Sequence, residues 1–378
     1  MKIAVNTRLL LKDKLEGIGW FTYESLKRIV TSHPQHNFYF IFDRKYDNEF
    51  VFADNVTPIV VGPPARHALL HYIWYEISIP RVLKKIKPDI FISPDAFLSL
   101  SSKYPDLIVI HDLNFEHFPE HMPWLWRKYY RYFTPRYAKK AKRIATVSQF
   151  SKSDIVEQYG VDPEKIDVVY NGSNNNFKPV SDKEKKETKY KFFDGCDYFV
   201  FVGALNPRKN LANIFKAFDR FKSINKSTIK FAVVGEKMYW TDDIKHAYEM
   251  MKYKEDVIFT GRLEPDELSK VVGSSVALVY TSFFEGFGIP IVEAFNAEVP
   301  VITSNVTSMP EIAADAALLV DPESVEQISD AMNRISNDTE LAISLVEKGK
   351  LRRKDFTWDR TAENVWKSIE KTVINNDK

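Results

Sequence analysis

Two glutamates flank a pair of glycines in the segment 285–293, which reads Glu-Gly-Phe-Gly-Ile-Pro-Ile-Val-Glu. The segment follows an apolar run typical of a buried strand, and a proline just after Gly288 is typical of the first turn of a helix. Glycines at that point leave backbone N–H groups open to an anion, and the helix dipole favours a phosphate there. Carboxylates beside such a site accept hydrogen bonds from hydroxyl groups. The segment therefore predicts a site for a phosphorylated, hydroxyl-rich ligand. The alternative is that Glu285 caps the helix and Glu293 is a solvated surface residue.

A second candidate anion site lies at residues 203–211, where another strand pattern runs into a helix pattern. Arg208 and Lys209 at this turn are placed to clamp a diphosphate from the side opposite the helix terminus. The alternative is an ordinary charged loop. Because the turn does not read Gly-x-Gly-x-x-Gly, a nicotinamide-dinucleotide site is poorly supported.

The first half of the chain offers two further polar or glycine-containing turns after predicted strands. His111 follows an apolar run, and a histidine at the carboxyl edge of a sheet is placed for polar contact with a substrate, while Asp112 orients its ring or caps the turn. Gly17 and Gly19 fall in the first strand-to-helix turn, where they let another backbone or a phosphate come close.

Short apolar runs rich in β-branched residues alternate with longer amphipathic stretches along nearly the whole chain. This alternation predicts βαβ units and parallel sheets, hence an α/β fold. The predicted strands are 2–6, 37–42, 56–61, 90–93, 107–110, 143–147, 166–169, 198–203, 229–234, 257–259, 276–280, 299–303 and 317–320. The predicted helices are 19–31, 67–85, 124–141, 151–159, 211–224, 242–252, 265–272, 289–297, 309–314, 324–337 and 341–354. Ser151 is the predicted N-cap of its helix.

A polar passage at 173–191 interrupts this alternation and predicts a linker, or a solvated helix just after the linker. We therefore expect two doubly wound domains in series, 1–178 and 179–356. Such folds bind ligands at the carboxyl ends of their strands, which predicts a cleft between the two sheets.

Length and composition fit this organisation. The chain has 378 residues, of which 44% are hydrophobic and 28% charged, an ordinary globular balance for two domains. No apolar run approaches the ~18 residues of a membrane-spanning helix, and the first residues enter a strand pattern directly, so neither an anchor nor a signal peptide is expected. Cys196, the single cysteine, cannot form an internal disulfide, which favours a reducing cytoplasm.

The positive charge is concentrated in the first half of the chain. Residues 1–178 hold 25 Lys+Arg and 19 Asp+Glu, whereas residues 179–378 hold 28 and 32. Within the first half, the stretch 124–143 carries eight basic residues, no acidic one and seven interleaved aromatic residues. Such a helix is a candidate for peripheral contact with an anionic membrane, the alternative being an aromatic core face and a solvated basic face. Nucleic-acid binding is not expected, because no nucleic-acid fold signature accompanies the patch.

With these motifs in order, the chain resembles the retaining glycosyltransferases of family 4, the group 1 glycosyl transferases, over nearly its whole length. The two-glutamate segment 285–293 is the strongest mark. The other segments that carry the resemblance are 17–19, 110–113, 146–151, 169–172, 202–210, 259–262 and 299–322. The resemblance implies the GT-B fold, in which two Rossmann-like domains face each other across a cleft, with the acceptor on the side of the first domain. It also implies that a final helix, here within 357–378, crosses back to the first domain.

The resemblance also implies roles for individual residues. Glu285 would contact hydroxyls of a donor sugar and Glu293 the ribose of its nucleotide, while Lys209 would bind the diphosphate. Many members have an arginine directly after the glycine that ends this strand; here that position is Ala204, and Arg208 supplies the charge instead. The remaining implied contacts are Phe287, Gly288 and Ile289 with sugar or phosphate, Gly261 and Arg262 with the base, Gly203 with the donor, His111 with the transferred sugar, and Gly17 and Gly19 with the cleft.

The implied activity is transfer of a hexose from a nucleoside diphosphate sugar to a hydroxyl of a glycan or lipid-linked glycan in polysaccharide biosynthesis, with the anomeric configuration retained. Similarity to members that read Pro-Arg-Lys-Asn favours a GDP-mannose-type donor. No cofactor and no metal are expected, because the chain has no Asp-x-Asp pair and Pro119 interrupts the helix that a His-x₃-His pair near His111 would need. A nucleotide-sugar epimerase or a non-catalytic nucleotide-sugar-binding partner remains the alternative on the same fold.

Overall fold

The computed structural model describes residues 1–236 and 240–374. These residues form two compact units, one made of Met1–Gly172 with the chain from Trp358 on, the other of Ser173–Thr357. The division lies at Gly172–Ser173, a few residues before the expected 178–179 boundary, and the last helix belongs to the first unit.

Unit 1 is built on a seven-stranded parallel sheet with the strand order β3-β2-β1-β4-β5-β6-β7. Its strands are β1 (Lys2–Asn6), β2 (Asn37–Phe42), β3 (Val56–Val60), β4 (Ile90–Ser93), β5 (Asp106–Ile110), β6 (Arg143–Thr146) and β7 (Ile166–Val168). Both faces of the sheet are covered: in β5, Ile108 and Ile110 pack into one apolar cluster while Leu107 and Val109 pack into another. This explains why the strands read as continuous apolar runs.

The helices of unit 1 lie in the connections between these strands. They are α1 (Gly17–Ser32), α2 (Ala68–Ile73), α3 (Ile79–Ile86), α4 (Asn114–His117), α5 (Trp124–Lys140) and α6 (Gln149–Tyr159). A π-helical turn at Trp74–Ser78 joins α2 to α3 and makes the predicted helix 67–85 one continuous helical segment. The predicted N-cap of α6 is wrong: Ser148 holds that position and accepts a hydrogen bond from the backbone N–H of Ser151 at 3.0 Å, while the Ser151 side chain donates to the His111 carbonyl oxygen.

Unit 2 is a six-stranded parallel sheet with the order β10-β9-β8-β11-β12-β13. Its strands are β8 (Tyr198–Val202), β9 (Lys230–Val234), β10 (Val257–Gly261), β11 (Ala277–Tyr280), β12 (Val301–Ser304) and β13 (Leu318–Val320). Its helices are α7 (Asp182–Phe193), α8 (Leu211–Asn225), α9 (Asp242–Glu249), α10 (Pro265–Gly273), α11 (Ile289–Asn296), α12 (Met309–Ala313), α13 (Val325–Asn337) and α14 (Thr339–Arg352). The two sheets therefore share one doubly wound strand order, and the predicted α/β class with two parallel sheets is confirmed.

Two segments near the division of the chain show how local sequence determines the elements. Of the two interpretations of the polar passage, the helix is the observed one, since α7 begins with a capping box in which Ser181 and Glu184 exchange hydrogen bonds. The closing helix, α15 (Trp358–Ile374), packs on α1 and buries Trp358 and Ile369 in the core of unit 1.

Shorter 3₁₀ turns connect several elements: Asn48–Phe50, Pro119–His121, Pro163–Lys165, Pro207–Lys209, Lys254–Asp256 and Arg353–Asp355. Within the described residues, no helix combines the length and the apolar character needed to cross a bilayer.

Candidate functional site

The predicted cationic pair and the first glutamate meet at the carboxyl edge of the unit 2 sheet. Arg208 and Lys209 lie in the 3₁₀ turn after β8, and Glu285 lies in the loop after β11, the strand that pairs with β8. The Glu285 carboxylate is 2.7 Å from Lys209 Nζ and 3.0 Å from Arg208 Nη1. The side chain of Asn210 fixes the turn against the end of β11 by donating to the Thr281 carbonyl oxygen at 2.9 Å.

This cluster is buried, and its two cations control the protonation of Glu285. Glu285 is 7% exposed. Burial alone would raise the pKa of Glu285, but Lys209 and Arg208 lower it to about 2, so the carboxylate is ionised at neutral pH. The Lys209 ammonium also donates to the Tyr280 hydroxyl at 2.5 Å. Two cations face one carboxylate, which leaves the cluster with one net positive charge.

The loop that leads into α11 is held by two residues that sequence reasoning missed. Ser308 Oγ donates to the carbonyl oxygens of Glu285 at 2.8 Å and Phe287 at 3.1 Å, and Thr307 Oγ1 accepts from the Glu285 N–H at 3.3 Å. The aromatic ring of Phe287 packs edge-on against Phe356 at 5.5 Å between centroids. No local pattern marks Thr307 and Ser308, because they come from the connection after β12.

Helix α11 begins as predicted, directly after the glycines. Gly288 is its N-cap with φ +95°, a conformation that favours glycine, and Ile289 is the first helical residue, followed by Pro290. Glu285 does not cap this helix, since its carboxylate is engaged by the two cations. Pro290 has no N–H and the Ile291 N–H donates to the Gly288 carbonyl oxygen at 3.0 Å, so the Ile289 N–H precedes the first hydrogen bond of the helix and suits an anion at this end.

Glu293 lies one turn into α11 and differs from Glu285 in its surroundings. It is partly buried, and its carboxylate makes no hydrogen bond or ion pair with any other residue in the described ranges. Burial raises the pKa of Glu293 to about 8. A surface glutamate would keep its ordinary pKa, so the alternative of a solvated residue fits poorly.

Three further predicted residues lie at the same edge of the unit 2 sheet. Gly203 directly follows β8, and a Cβ placed on it would lie 3.6 Å from Lys209 Cε. Gly261 ends β10 with φ +71°, and a Cβ there would meet no described atom within 4 Å. Arg262 is exposed. The structure thus puts Gly261 at the end of its strand and Gly203 directly after its strand, while their predicted contacts with a ligand stay predictions.

The predicted residues of unit 1 lie at the corresponding edge of its own sheet. His111 follows β5; its Nε2 is 3.0 Å from the Pro94 carbonyl oxygen, and burial lowers its pKa. Asp112 caps the turn by accepting from the Asn114 N–H at 3.0 Å and does not orient the His111 ring.

Gly17 and Gly19 lie inside the first turn of α1 rather than in the loop before it. A side chain at Gly17 would meet no described atom within 4 Å, whereas one at Gly19 would approach the Leu9 carbonyl oxygen to 3.1 Å. The close packing of the preceding loop therefore explains the glycine at position 19. Position 17 has room for a side chain.

A buried polar cluster in unit 1 escaped the sequence analysis. Arg8, just after β1, places its Nε 2.5 Å from Asp95 Oδ2, and Asp95 follows β4, the strand paired with β1. Asp95 Oδ1 also accepts hydrogen bonds from Asn6 at 2.8 Å, Tyr75 at 3.0 Å and Ser93 at 2.9 Å. The available signal was the position of an arginine and an aspartate after two predicted strands. Among the described residues, no group of three or more His, Cys, Asp or Glu is arranged to hold a metal ion.

Comparison with known protein families gives two matches that follow one another along the chain. The family model described as "Glycosyltransferase Family 4" matches residues 17–176, and the one described as "Glycosyl transferases group 1" matches residues 182–352. The first match lies almost wholly in unit 1 and the second lies in unit 2.

Similar proteins include two curated bacterial enzymes and many solved structures. The O-antigen chain mannosyltransferase B of Escherichia coli is 26% identical over 373 residues, which cover 95% of this chain and 97% of that protein. The O-antigen chain mannosyltransferase RfbU of Salmonella typhimurium is 29% identical over 240 residues, 61% of this chain and 63% of that protein. The crystal structure of HepE from Anabaena in complex with UDP-glucose aligns with a TM-score of 0.75 at 16% identity, over 98% of this chain and 100% of that one.

Proposed function

Because the chain belongs to the group 1 glycosyltransferases of family 4 and has their GT-B fold, we propose that it transfers a hexose from a nucleoside diphosphate sugar to a hydroxyl of a glycan or lipid-linked glycan, with retention of the anomeric configuration. We propose mannose as the hexose and GDP as its carrier. The names of the two curated relatives, both O-antigen chain mannosyltransferases, support the sugar and the role in polysaccharide biosynthesis.

The observation that carries this proposal is the positively charged cluster at the carboxyl ends of β8 and β11. Arg208 and Lys209 exceed the charge of Glu285 by one, and they lie in the same sheet edge as the N-terminus of α11. A diphosphate brings negative charge to such a site, where buried cations and backbone N–H groups stabilise it strongly. The two glutamates then accept hydrogen bonds from sugar hydroxyls, Glu285 from the hexose and Glu293 from the ribose.

In the reaction we propose, the bond between the anomeric carbon and the diphosphate oxygen breaks while a bond to the acceptor oxygen forms. The acceptor proton passes to the departing diphosphate on the same face, so that no protein nucleophile is needed. Arg208, Lys209 and the start of α11 stabilise the charge that develops on the diphosphate, and this stabilisation supplies most of the catalysis. His111 contacts the transferred sugar. The proposal requires neither a cofactor nor a metal ion.

Two measurements test the proposal in sequence. The melting temperature of the purified protein is first recorded with GDP, UDP and ADP, and we expect GDP to raise it most, since only ligands of the native state stabilise it. The protein is then incubated with GDP-mannose and a mannose-containing oligosaccharide, and the product anomer is assigned by NMR. An α-linked product from the α-linked donor supports retention, and a β-linked product refutes it.

Other outcomes would replace the proposal by a different function. Release of an altered nucleotide sugar without any acceptor would identify an epimerase. Binding of a nucleotide with no turnover on any acceptor would identify a non-catalytic partner protein. If none of the three nucleotides raises the melting temperature, the assignment of the unit 2 cluster is wrong.

We also propose that α5 contacts an anionic membrane from one side. Two of its exposed aromatic rings make cation–π contacts with basic side chains of the same helix. Lys128 Nζ lies 4.4 Å from the centre of the Trp124 ring, and the Arg136 guanidinium lies 3.6 Å from the centre of the Tyr132 ring. Trp124 is 60% exposed and Tyr132 is 54% exposed. The charge available is smaller than the sequence suggested, because at least three of the eight basic residues pair with acids of other elements. These pairs are Arg131–Glu116, Lys140–Asp106 and Arg143–Asp167.

Vesicle co-sedimentation tests this contact. We expect the protein to bind vesicles of phosphatidylglycerol and phosphatidylcholine but not of phosphatidylcholine alone, because each cation near an anionic surface contributes about 1 kcal/mol. Lys128→Glu with Arg136→Glu should abolish the binding. Lys183→Glu with Lys245→Glu, two exposed charges of unit 2, is the control. Equal binding of both double variants would refute the contact.

A further inference from the structure

Unit 1 contains a pocket of about 310 Å³ beside the buried cluster of Arg8 and Asp95. Its walls include Arg8, His71, Trp126 and Tyr130. The volume is at the lower end of the range for small-molecule sites, and the lining combines aromatic rings with a few fixed polar groups, as such sites usually do.

Arg8 presents an oriented but unused hydrogen-bonding edge to this pocket. Its Nε is held by Asp95 at 2.5 Å and by the Tyr75 hydroxyl at 3.3 Å, and its side chain is only 13% exposed. Within the described ranges neither Nη atom makes a hydrogen bond, which leaves four N–H donors in a planar, immobilised fork. Asp95 is saturated by its own donors and therefore acts by positioning Arg8.

His71 adds a second unused polar group to the same wall. It is 1% exposed, and its Nδ1 lies 3.0 Å from the Tyr129 hydroxyl. Its Nε2 is buried and finds no hydrogen-bond partner among the described residues. Burial and the Arg8 charge lower the pKa of His71 to about 3, so the ring is neutral. A buried polar atom without a partner is costly, which points to a ligand that supplies one.

The charge balance of the pocket indicates which ligand that is. Arg8 and Asp95 cancel, and His71 is neutral, so the pocket has no surplus charge to attract a free phosphate. A neutral ligand with several hydroxyls can accept from the Arg8 fork and exchange a hydrogen bond with His71. Trp126 and Tyr130, 6.1 Å apart between ring centroids, offer apolar surfaces for the C–H faces of the same ligand. A sugar ring has both properties.

We propose that this pocket binds one neutral sugar ring of the acceptor glycan, with its hydroxyls on the Arg8 Nη atoms and His71 Nε2 and its apolar face on Trp126 or Tyr130. The inference rests on the proposed transferase function and adds to it the part of unit 1 that selects the acceptor. It identifies Arg8, His71 and Trp126 as acceptor-binding residues, and Asp95 as a positioning residue.

Two variants and two matched controls test the pocket. Trp126→Ala removes the aromatic wall, and Arg8→Lys keeps the charge beside Asp95 but removes the fork. The controls are Tyr190→Ala, an exposed aromatic residue, and Arg220→Lys, an exposed arginine paired with Glu326. Melting curves first establish that each variant folds; should Arg8→Lys not fold, Trp126→Ala carries the test.

Saturation-transfer NMR with methyl α-mannopyranoside, methyl α-glucopyranoside and methyl α-galactopyranoside gives the binding readout, and inorganic phosphate serves as a competitor. We expect at least one glycoside to show saturation transfer that falls threefold or more in Trp126→Ala and Arg8→Lys, is kept in both controls and resists phosphate. With a glycan substrate, the acceptor KM should rise about tenfold or more in both pocket variants, while the thermal shift with GDP stays at its wild-type value.

The pocket assignment is overturned if every glycoside signal is the same in the pocket variants as in wild type, if no glycoside binds, or if phosphate displaces the sugar. Failure of the proposed function itself gives a different result, because wild type would then show neither a nucleotide-dependent thermal shift nor turnover. The glycoside measurement needs no donor and reports on the pocket in either case.

Discussion

The carboxyl edges of the two sheets carry the same arrangement with different charge. In unit 1 an arginine, Arg8, follows β1 and a carboxylate, Asp95, follows the neighbouring β4. In unit 2, Arg208 and Lys209 follow β8 and Glu285 follows the neighbouring β11. Strands β1 and β8 are both third in the strand order of their sheets, so the two ion clusters occupy equivalent points of two doubly wound folds.

The net charge of each cluster determines which ligand it is suited to bind. One cation and one carboxylate cancel in unit 1, and Asp95 is surrounded by neutral donors. In unit 2 a second cation leaves a positive surplus, and a helix begins at the same edge. The surplus suits a diphosphate, whereas the balanced cluster suits hydroxyl groups.

Removal of one unit 2 cation should have the largest effect. Lys209→Ala takes away a preorganised donor for the departing diphosphate, and such losses lower kcat by about 10²–10³-fold, or roughly 2.7–4 kcal/mol of barrier. Steady-state transfer assays with saturating donor give the measurement. Lys216→Ala, an exposed lysine of α8, is the matched control and should keep the wild-type rate. A full transfer rate in Lys209→Ala would show that the positive surplus is not catalytic.

How far the sequence predicts this contrast depends on whether partners are close in the chain. Local signals determined most strands and helices, and the glycines before α11 located its first turn, since propensity, capping and periodicity act over a few residues. The pairing of Glu285 with Lys209 spans 76 positions and was expected only as a shared site, without its geometry.

The cluster of unit 1 was missed for the same physical reason. Arg8 and Asp95 lie 87 positions apart, and nothing near either residue marks it as one half of a buried pair. Thr307 and Ser308, which hold the loop before α11, are ordinary polar residues in sequence and acquire their role from the packing of β11 beside β12. The Ser151 N-cap was misplaced by three residues because Ser148, another good cap, precedes it.

Loss of the Asp95 carboxylate should reduce the stability of the protein rather than its binding of nucleotide. Asp95→Asn leaves Arg8 buried without a counter-charge, and breaking such a pair costs about 3 kcal/mol or more. This corresponds to a fall in the melting temperature of roughly 6–12 °C for a unit of this size. Asp47→Asn, which breaks the exposed pair with Lys12, should leave the melting temperature close to that of wild type. Equal melting temperatures for both variants would mean that the buried pair of Arg8 and Asp95 contributes nothing to stability.

The carboxyl group of Glu293, which has no partner among the described residues, should make the stability of the protein depend on pH. The pKa of Glu293 is raised from 4.5 to about 8, so the folded protein keeps a proton that the unfolded chain releases between these values. Stability therefore falls as the pH rises from about 4.5 to about 8. Each pKa unit corresponds to about 1.4 kcal/mol. Because the side chain is partly exposed, we expect the free energy of unfolding to fall by only roughly 2 kcal/mol over this range.

Glu293→Gln isolates this contribution, because the amide stays neutral at every pH. The melting temperature of the variant minus that of wild type should increase between pH 5 and pH 8. If this difference is constant, the carboxyl is ionised throughout, and Glu293 resembles the paired Glu285 more closely than the geometry indicates.

The smallest effect, and the sharpest test of the charge argument, concerns Glu285 and free nucleoside diphosphate. Glu285→Gln removes the negative charge that faces Arg208 and Lys209 at 3.0 and 2.7 Å, while it keeps the shape of the side chain. The positive surplus of the cluster then doubles, so we expect the affinity for GDP to rise a few-fold, about 1 kcal/mol, and the gain to shrink at high salt. Hexose transfer should fall in the same variant, because the amide keeps only one acceptor oxygen and lacks the negative charge with which the carboxylate accepts from the sugar hydroxyls. Isothermal titration with GDP at two salt concentrations measures the expected rise in affinity, and a transfer assay measures the expected fall in rate. If GDP affinity falls together with transfer, Glu285 serves mainly to hold the two cations in place, as Asp95 holds Arg8, and the two clusters are then alike in mechanism as well as in position.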